Sequence, residues 1–214
     1  MSAKKPSRHT APKPQPPRQI PLDLSRERPL SFETLQISSG NQQLLRQIRD
    51  FTAWPSPVCL LIGPRGAGKT HIGTAWAQEN PEALFIDDAK GAGEQTLFAQ
   101  INRALTGRIQ ALLLTSSEHP ALWDIKMPDL RSRLNNTPTF ELPEADDDLL
   151  ETIVRGLFAG HGRHVSQDLV TYMISRSERT VPALQAHVAR LEAQAQTDKA
   201  DITKAYAARH MTKP

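Results

Sequence analysis

The chain has 214 residues and a formal net charge of +3, a length that can hold one domain with a small appendage. Residues 1–18 carry five basic side chains and no acidic one, so the remainder has a net charge of about −2 and lacks the basic footprint of a dedicated DNA-binding domain. A single cysteine, Cys59, excludes an intramolecular disulfide, and no apolar run approaches the roughly 20 residues that span a membrane, so we expect a soluble, cytoplasmic protein without a membrane partner.

The N-terminal part of the chain divides into a basic tail and a short apolar segment. Residues 1–18 contain five prolines, and their only apolar side chains are alanine and methionine, so we expect a disordered tail. A basic arm that binds nucleic acid is the alternative interpretation. Residues 19–24, with the sequence Gln-Ile-Pro-Leu-Asp-Leu, form an apolar island, and we expect the core to begin near Leu30.

Between Leu30 and residue 142, apolar runs of strand length alternate with amphipathic helices. In chain order the pattern predicts helix 41–53, strand 58–62, helix 69–79, strand 83–86, helix 94–105, strand 109–114 and a short strand 139–142. Because the strands are apolar throughout, we expect a parallel sheet covered on both faces by helices. Farther along, the pattern predicts only helices, at 146–158, 166–178, 181–196 and 201–211. The chain should therefore hold an α/β domain over 30–142 and an all-helical domain over 143–212.

A glycine-rich turn lies between the strand 58–62 and the helix 69–79. Its residues are Gly63, Pro64, Arg65, Gly66, Ala67, Gly68, Lys69 and Thr70, which match the phosphate-binding pattern G-x-x-x-x-G-K-T. The glycines let the backbone N–H groups turn toward phosphate oxygens, and the helix adds its positive N-terminal dipole. Lys69 would reach the β- and γ-phosphates, and the Thr70 hydroxyl would ligate Mg²⁺. The sequence thus predicts a site for ADP or ATP with Mg²⁺.

Two acidic residues follow the next predicted strand. Asp87 and Asp88 come directly after the apolar run 83–86. A carboxylate at the end of a strand beside the phosphate loop holds Mg²⁺ in nucleotide-binding proteins. We assign Asp87 to the ion and Asp88 to polarising the attacking water. Two acids that begin a surface loop are the alternative interpretation.

Several short strings, in order along residues 19–211, resemble one family. They are QIPLDL, GPRGAGKTHI, LFIDDA, LFAQIN, LLLTSS, MPDLRSRL and RSERT. The chain resembles the AAA+ proteins related to the replication initiator DnaA, and among them the Hda-like small regulators that inactivate the initiator. The resemblance implies a P-loop AAA+ sheet domain followed by a helical lid domain.

The resemblance also implies roles for individual polar residues. Arg133 falls where the family places an arginine finger directed at nucleotide in a neighbouring subunit, with Arg131 as the nearby alternative. A planar, permanently charged guanidinium suits the charge on a transferring phosphoryl group. Arg179 occupies the second sensor position, from which the lid touches nucleotide, and Thr115 with Ser116 matches the first sensor. Solvated surface charge is the alternative interpretation of each arginine.

The apolar island resembles the peptide with which such proteins dock on the DNA polymerase III β sliding clamp. Leu22 and Leu24 would enter an apolar cleft while Gln19 hydrogen-bonds at its edge. DNA would then be reached indirectly, through the clamp. The resemblance therefore implies a cytoplasmic protein that associates with the nucleoid and replisome, and it leaves a homodimer open.

The chain departs from the family in the spacing between the phosphate loop and the acidic pair. Only residues 71–86 intervene, which is room for one helix and one strand where the family has a further strand–helix unit. We therefore expect about four strands rather than five, an acidic strand near the sheet edge, and weak or no intrinsic ATPase activity. Alternatively, 83–86 is the family's ordinary second strand and the chain has no acidic pair.

The function implied by the resemblance is negative regulation of replication initiation. Arg133 would promote hydrolysis of ATP bound to a DnaA-type initiator, converting the initiator to its ADP form. Because the sequence ends at Pro214, after the lid-like helices, we expect no helix-turn-helix DNA reader. An initiator-like or helicase-loading ATPase that binds DNA directly is the main alternative. A small-molecule kinase, which shares the phosphate loop, is a third.

Overall fold

The computed structural model describes residues 30–38 and 40–211. The expected tail 1–18 and the docking residues Gln19, Leu22 and Leu24 lie outside the described residues. Within the described ranges, no helix combines the length and apolarity needed to cross a bilayer.

A four-stranded parallel sheet forms the centre of the fold. Its strands are β1 (Val58–Ile62), β2 (Leu84–Ile86), β3 (Leu112–Ser116) and β4 (Thr139–Glu141). They lie in the order β2-β3-β1-β4, and each neighbouring pair is parallel. The expectation of a four-stranded α/β sheet with the acidic strand at its edge is confirmed. Because a single helix lies between the phosphate loop and β2, the chain reaches the edge in one crossover.

Four helices flank the sheet. They are α1 (Gln42–Arg49), α2 (Lys69–Glu79), α3 (Glu94–Leu105) and α4 (Pro128–Asn135). The predicted helix 41–53 is shorter as an α-helix, because Asp50 adopts ψ of 79° and a separate 3-10 turn follows at Phe51–Ala53. Two further 3-10 turns lie at Ala89–Gly91 and Pro120–Leu122.

The third strand begins at Leu112, whereas the sequence pattern predicts a strand from residue 109 to 114. Gly107 takes a left-handed conformation with φ of 72°, and the N–H groups of Arg108 and Ile109 both donate to the Arg103 carbonyl. These residues therefore end α3 rather than begin a strand, since capping its last carbonyls uses their amides. The strand instead extends through Thr115 and Ser116, which the sequence pattern places just beyond it.

The strands are buried because apolar clusters cover both faces of the sheet. Leu60 and Leu114 pack in one cluster with Ile101 of α3. Leu61 lies in the opposite cluster with Trp76 of α2. Successive strand residues point to opposite faces, so an unbroken apolar run serves both clusters.

The C-terminal part of the described chain is helical, as expected. Its helices are α5 (Asp147–Gly160), α6 (Gln167–Arg176), α7 (Val181–Asp198) and α8 (Lys204–His210). Each begins after a residue whose side-chain oxygen accepts an amide hydrogen bond from the first turn, namely Asp146, Ser166, Thr180 and Thr203. A third apolar cluster, containing Phe158, Met173 and Leu191, holds these helices together.

A glycine in α2 allows this helix to pack directly on the edge strand. A β-carbon at Gly73 would lie 2.1 Å from the ring of Phe85 in β2. Any larger residue would force the helix and the strand apart. Thr70 lies one turn before Gly73 and Asp87 lies just after β2, so this close approach sets the spacing between the phosphate loop and the acidic pair.

We predict that Gly73→Ala lowers the free energy of unfolding by about 1–3 kcal/mol, because the methyl group overpacks the contact between α2 and β2. Urea unfolding followed by circular dichroism measures the change. Gly156→Ala in α5 is the matched control, since its new methyl group would meet only the end of the Gln36 side chain, at 3.3 Å. The control should be neutral or more stable by up to about 1 kcal/mol, through helix propensity. Equal effects of the two substitutions would contradict the close-packing interpretation.

Candidate functional site

The phosphate loop connects β1 to α2 and depends on glycine for two reasons. Gly66 and Gly68 have φ of 75° and 98°, a region that residues with a β-carbon rarely adopt. At Gly63 the constraint is space, because a β-carbon there would lie 2.6 Å from the carbonyl oxygen of Leu142. The Leu142 N–H donates to the Ile62 carbonyl at 2.7 Å and so continues the pairing of β1 with β4 up to the loop.

Lys69 is the first residue of α2, and its ammonium group lies over the loop. Its Nζ donates to the carbonyl oxygens of Gly63 and Pro64, each at 2.8 Å. Partial burial lowers the pKa of Lys69 from its ordinary value, and the nearby carboxylates of Asp87 and Asp88 oppose this shift. The Lys69 ammonium thus donates to the loop carbonyls and is attracted by the acidic pair. Phosphate oxygens could replace those carbonyls as its hydrogen-bond acceptors.

A carboxylate joins three parts of the site. Asp87 accepts hydrogen bonds from the hydroxyl of Thr70 at 2.7 Å and from the hydroxyl of Thr115 at 2.5 Å. The structure therefore brings together the start of α2, the end of β2 and the end of β3. Thr115 is fully buried, whereas Thr70 and Asp87 are exposed. The buried hydroxyl orients the carboxylate, which remains open to solvent on its other side.

The other loop and sensor residues surround this group. Arg65 is exposed, Ala67 is partly buried, and Ser116 is buried with its carbonyl accepting the Gly63 N–H at 3.3 Å. A small cleft beside Ala67 is lined by the N-terminal segment near Asn41, by the segment after β4 and by the start of α5.

The donor atoms near Thr70 and Asp87 suit a magnesium ion bound together with phosphate. Mg²⁺ prefers oxygen ligands and usually takes one or two protein groups, with the rest from phosphates and water. The hydroxyl of Thr70 and the carboxylate of Asp87, which touch each other, provide such a pair. Over the described ranges, no cluster of three or more His, Cys, Asp or Glu residues offers a dedicated metal site.

Asp88 has a different environment from Asp87. It adopts a left-handed conformation, with φ of 45° and ψ of 59°, and its backbone N–H donates to the Thr115 hydroxyl at 3.0 Å. Its side chain is exposed. The left-handed turn lets the chain leave β2 and enter the 3-10 turn 89–91, so the backbone of Asp88 has a structural task separate from its charge.

Arg131 and Arg133 lie on α4 and have different contacts. The Arg131 guanidinium donates to the carbonyl of Ile125, just before α4. The Arg133 guanidinium lies over the ring of Phe98 in α3, with its Cζ 5.0 Å from the ring centroid. The structure thus gives Arg131 a local structural role, whereas among the described residues no hydrogen bond or ion pair involves the Arg133 guanidinium.

Arg179 lies two residues before Val181, which contacts the loop, but its guanidinium pairs with the segment at the start of α5. The guanidinium pairs with Asp147 at 2.7 Å and donates to the Ala145 carbonyl at 3.3 Å, both at the start of α5. Arg179 is about half exposed and Asp147 more than that, and such surface pairs contribute little stability. The contact of the helical region with the loop is made instead by Val181, whose N–H donates to the Gly66 carbonyl at 3.3 Å.

Sequence reasoning missed His71 as part of the site's support. Its Nε2 lies 3.1 Å from the Ser31 carbonyl oxygen and 3.2 Å from the Thr34 hydroxyl. Burial lowers the pKa of His71, so the neutral imidazole prevails at neutral pH. His71 fastens the start of the described chain to the helix that follows Thr70. The only available signal was its position next to the phosphate loop.

We predict that Asp88→Ala is less stable than Asp88→Gly by about 0.5–1 kcal/mol, because alanine is strained in the left-handed region and glycine is not. Urea unfolding of the two variants provides the comparison. Both substitutions remove the carboxylate, so each variant is a control for the loss of charge in the other. An alanine variant as stable as the glycine variant would contradict the left-handed geometry.

The fold is shared with solved structures of the replication initiation protein DnaA and of a Holliday junction branch migration motor. Domain III of the Thermotoga maritima replication initiation protein DnaA matches with a TM-score of 0.73 at 15% identity, covering 86% of this chain and 98% of that one. AMPPCP-bound DnaA from Aquifex aeolicus matches with a TM-score of 0.63 at 15% identity, covering 79% and 68%. The Thermotoga maritima RuvB Holliday junction branch migration motor matches with a TM-score of 0.64 at 19% identity, covering 86% and 72%.

Sequence comparison is less informative than the fold. An uncharacterized protein of Haemophilus influenzae is 22% identical over 201 residues, covering 78% of this chain and 87% of that protein. No protein-family model matches the chain. The structural matches establish the fold alone, which is that of DnaA domain III, here with a four-stranded sheet and C-terminal helices.

Proposed function

We propose that this chain is a DnaA-related AAA+ regulator of replication initiation that binds ADP or ATP and stimulates ATP hydrolysis by a partner initiator. The observation that carries the nucleotide part is the meeting of Thr70 and Thr115 on the Asp87 carboxylate, with Lys69 beside it. These groups come from three segments that are distant in sequence. Their meeting at the carboxyl end of a parallel sheet is typical of a nucleotide site.

The loop backbone and Lys69 would bind the phosphates. The Lys69 ammonium would exchange the carbonyls of Gly63 and Pro64 for β- and γ-phosphate oxygens, which are stronger acceptors because they are charged. Thr70 and Asp87 would hold Mg²⁺, which neutralises phosphate charge. The nucleoside would bind beside Ala67, and the small cleft there would have to open to admit it. Binding of AMPPCP by the Aquifex aeolicus DnaA, which has this fold, supports the assignment.

Hydrolysis in the chain's own site should be weak. Asp87 and Asp88 are exposed at the sheet edge, where no strand covers the outer side of β2 among the described residues. Efficient phosphoryl transfer relies on preorganised charges in a site that excludes water. Asp88, which we propose as the water-polarising residue, faces solvent. The bound nucleotide would therefore mainly set the arrangement of the loop and the lid.

The proposed chemistry takes place on the partner, through Arg133. This side chain is on α4, and among the described residues it contacts Phe98 rather than the phosphate loop. An arginine supplied from a neighbouring subunit stabilises charge on the transferring phosphoryl group. The hydrolysing nucleotide would be ATP on a DnaA-type initiator. Arg179, once released from Asp147, would be the contact from the lid to this chain's own nucleotide.

Docking would bring the two proteins together on DNA. We propose that Gln19, Leu22 and Leu24, which lie outside the described residues, bind the DNA polymerase III β sliding clamp. The chain would then act at the replisome, with DNA reached through the clamp. The site of docking precedes Ser31, which His71 ties to the start of α2.

We predict that Lys69→Ala weakens ADP and ATP binding by at least about tenfold, because one charge-assisted hydrogen bond to phosphate contributes about 1.5–3 kcal/mol. Isothermal titration calorimetry measures the dissociation constant. Lys90→Ala is the matched control, since it removes an exposed ammonium whose partner, Glu118, lies outside the phosphate loop. Equal affinities of the Lys69 variant and the wild-type chain would refute the nucleotide site.

We predict that Arg133→Ala abolishes stimulation of the initiator's ATPase while leaving nucleotide binding intact. Arginine fingers contribute about 10³–10⁵-fold to such rates, so the variant should fall to the initiator's unstimulated rate. The assay combines initiator, radiolabelled ATP and DNA-loaded clamp. Arg108→Ala, at an exposed arginine after α3, is the control and should stimulate normally.

The same assay separates docking from chemistry. Gln19→Ala should lose stimulation and also lose retention on DNA-loaded clamp, whereas Arg133→Ala should lose only stimulation. Full stimulation by Arg133→Ala would overturn the finger assignment. Sequence-specific DNA binding by the chain without the clamp would instead favour the initiator-like alternative.

A further inference from the structure

Two side chains of α3, one helical turn apart, contact α4 and the segment before it. Glu94 is the first residue of α3, and Phe98 lies four positions later, on the same side of the helix. Glu94 contacts the chain immediately before α4, and Phe98 contacts Arg133 near its end. One face of α3 therefore contacts both the N-cap of α4 and its last turn.

Glu94 fixes the start of α4. Its two carboxylate oxygens accept the backbone N–H groups of Lys126 at 2.7 Å and Met127 at 2.8 Å. Met127 is the N-cap residue of α4 and its side chain makes no capping hydrogen bond. These two hydrogen bonds lower the pKa of Glu94, so the contact persists throughout the neutral range. Glu94 thus determines where α4 leaves the preceding loop.

Phe98 supports the guanidinium of Arg133. The Cζ of Arg133 lies 5.0 Å from the ring centroid, within the range of a cation–π contact. Over the described ranges, the Arg133 guanidinium makes no hydrogen bond or ion pair. The aromatic face therefore restrains the side chain without using its N–H donors. A planar cation held by its face keeps its donor edges free for phosphate oxygens.

We propose that Glu94 and Phe98 are positioning residues that hold Arg133 ready to reach a phosphoryl group on a partner. This inference rests on the proposed role of Arg133. Glu94 sets the position of α4, and Phe98 sets the direction of the side chain. A preorganised arginine loses less freedom when it meets the partner, so the positioning raises the rate of the partner's reaction rather than the affinity of the two proteins.

The first test measures the positioning itself and needs no partner. Proton resonances of the Arg133 side chain should be shifted upfield by the ring of Phe98. The shift should persist in Phe98→Tyr, which keeps the aromatic face, and vanish in Phe98→Leu, which keeps only apolar volume. An unchanged Arg133 spectrum in Phe98→Leu would overturn the proposal.

An acid titration tests the contact of Glu94. The pKa of Glu94 is lowered from 4.5 in the folded chain. The contact is therefore complete above pH 4.5, and it is lost as the pH falls through the lowered pKa. The amide resonances of Lys126 and Met127 should therefore titrate together with a midpoint below 4.5, and this titration should be absent in Glu94→Gln. Amides that ignore the substitution would overturn the role of Glu94.

The second test uses the stimulated ATPase of the initiator. Phe98→Leu and Glu94→Gln should lower the maximal stimulated rate by about ten- to a hundredfold, with the half-saturating concentration of the chain unchanged. Phe98→Tyr should stimulate like the wild type.

The outcomes distinguish this inference from the proposed function. If the wild type and Arg133→Ala stimulate equally, the proposed function fails, and the spectra alone decide the positioning. If Phe98→Leu stimulates fully, the positioning role is overturned even though the finger stands.

Discussion

The carboxylate of Asp87 accepts hydrogen bonds from Thr70 and Thr115, and most of the site depends on this contact. It ties the edge strand to the helix after the phosphate loop and to the neighbouring strand. It acts together with the pairing of β2 with β3 and with the close packing of Gly73 on Phe85 to hold the short β2 beside the loop. A pair of hydrogen bonds to one charged group is both strong and directional, so it fixes the carboxylate that, in the proposed site, would hold the metal ion beside the phosphates.

Much of this arrangement could be predicted from the sequence, because the strongest local signals coincide with the site. The loop Gly63–Thr70, the strand before it and the helix after it lie where the pattern indicates. The spacing between Thr70 and Asp87 also indicated the four-stranded sheet, since residues 71–86 have room for one crossover only. These inferences required chain connectivity and apolar periodicity, both of which are local.

What could not be predicted depends on contacts between distant residues. The constraint on Gly63 comes from the carbonyl of Leu142, and the direction of Arg179 comes from Asp147. Neither partner is marked by any motif. The late start of β3 has a similar origin, because the amides after α3 cap its end in competition with strand pairing. Sequence patterns report propensity, whereas these features are decided by tertiary contacts.

The helix α3 connects the two proposed activities of the chain. It begins six residues after Asp88, and its Phe98 contacts Arg133 of α4. A change at the acidic pair would therefore reach the arginine through one rigid element and two side chains. Such a connection transmits a signal only if α3 has two stable positions, and the short turn between Asp88 and Glu94 is where they would differ.

The position of β2 at the sheet edge also has a consequence for the ionic environment. The charges of Asp87 and Asp88 face solvent, and salt screens exposed charges beyond a Debye length of about 8 Å at physiological ionic strength. A site covered by a further strand and helix would be shielded from dissolved ions. Here the attraction between the acidic pair, Lys69 and a divalent cation varies with the salt around the protein. Because no strand covers the outer side of β2 among the described residues, the proposed nucleotide binding would respond to the ionic strength around the protein.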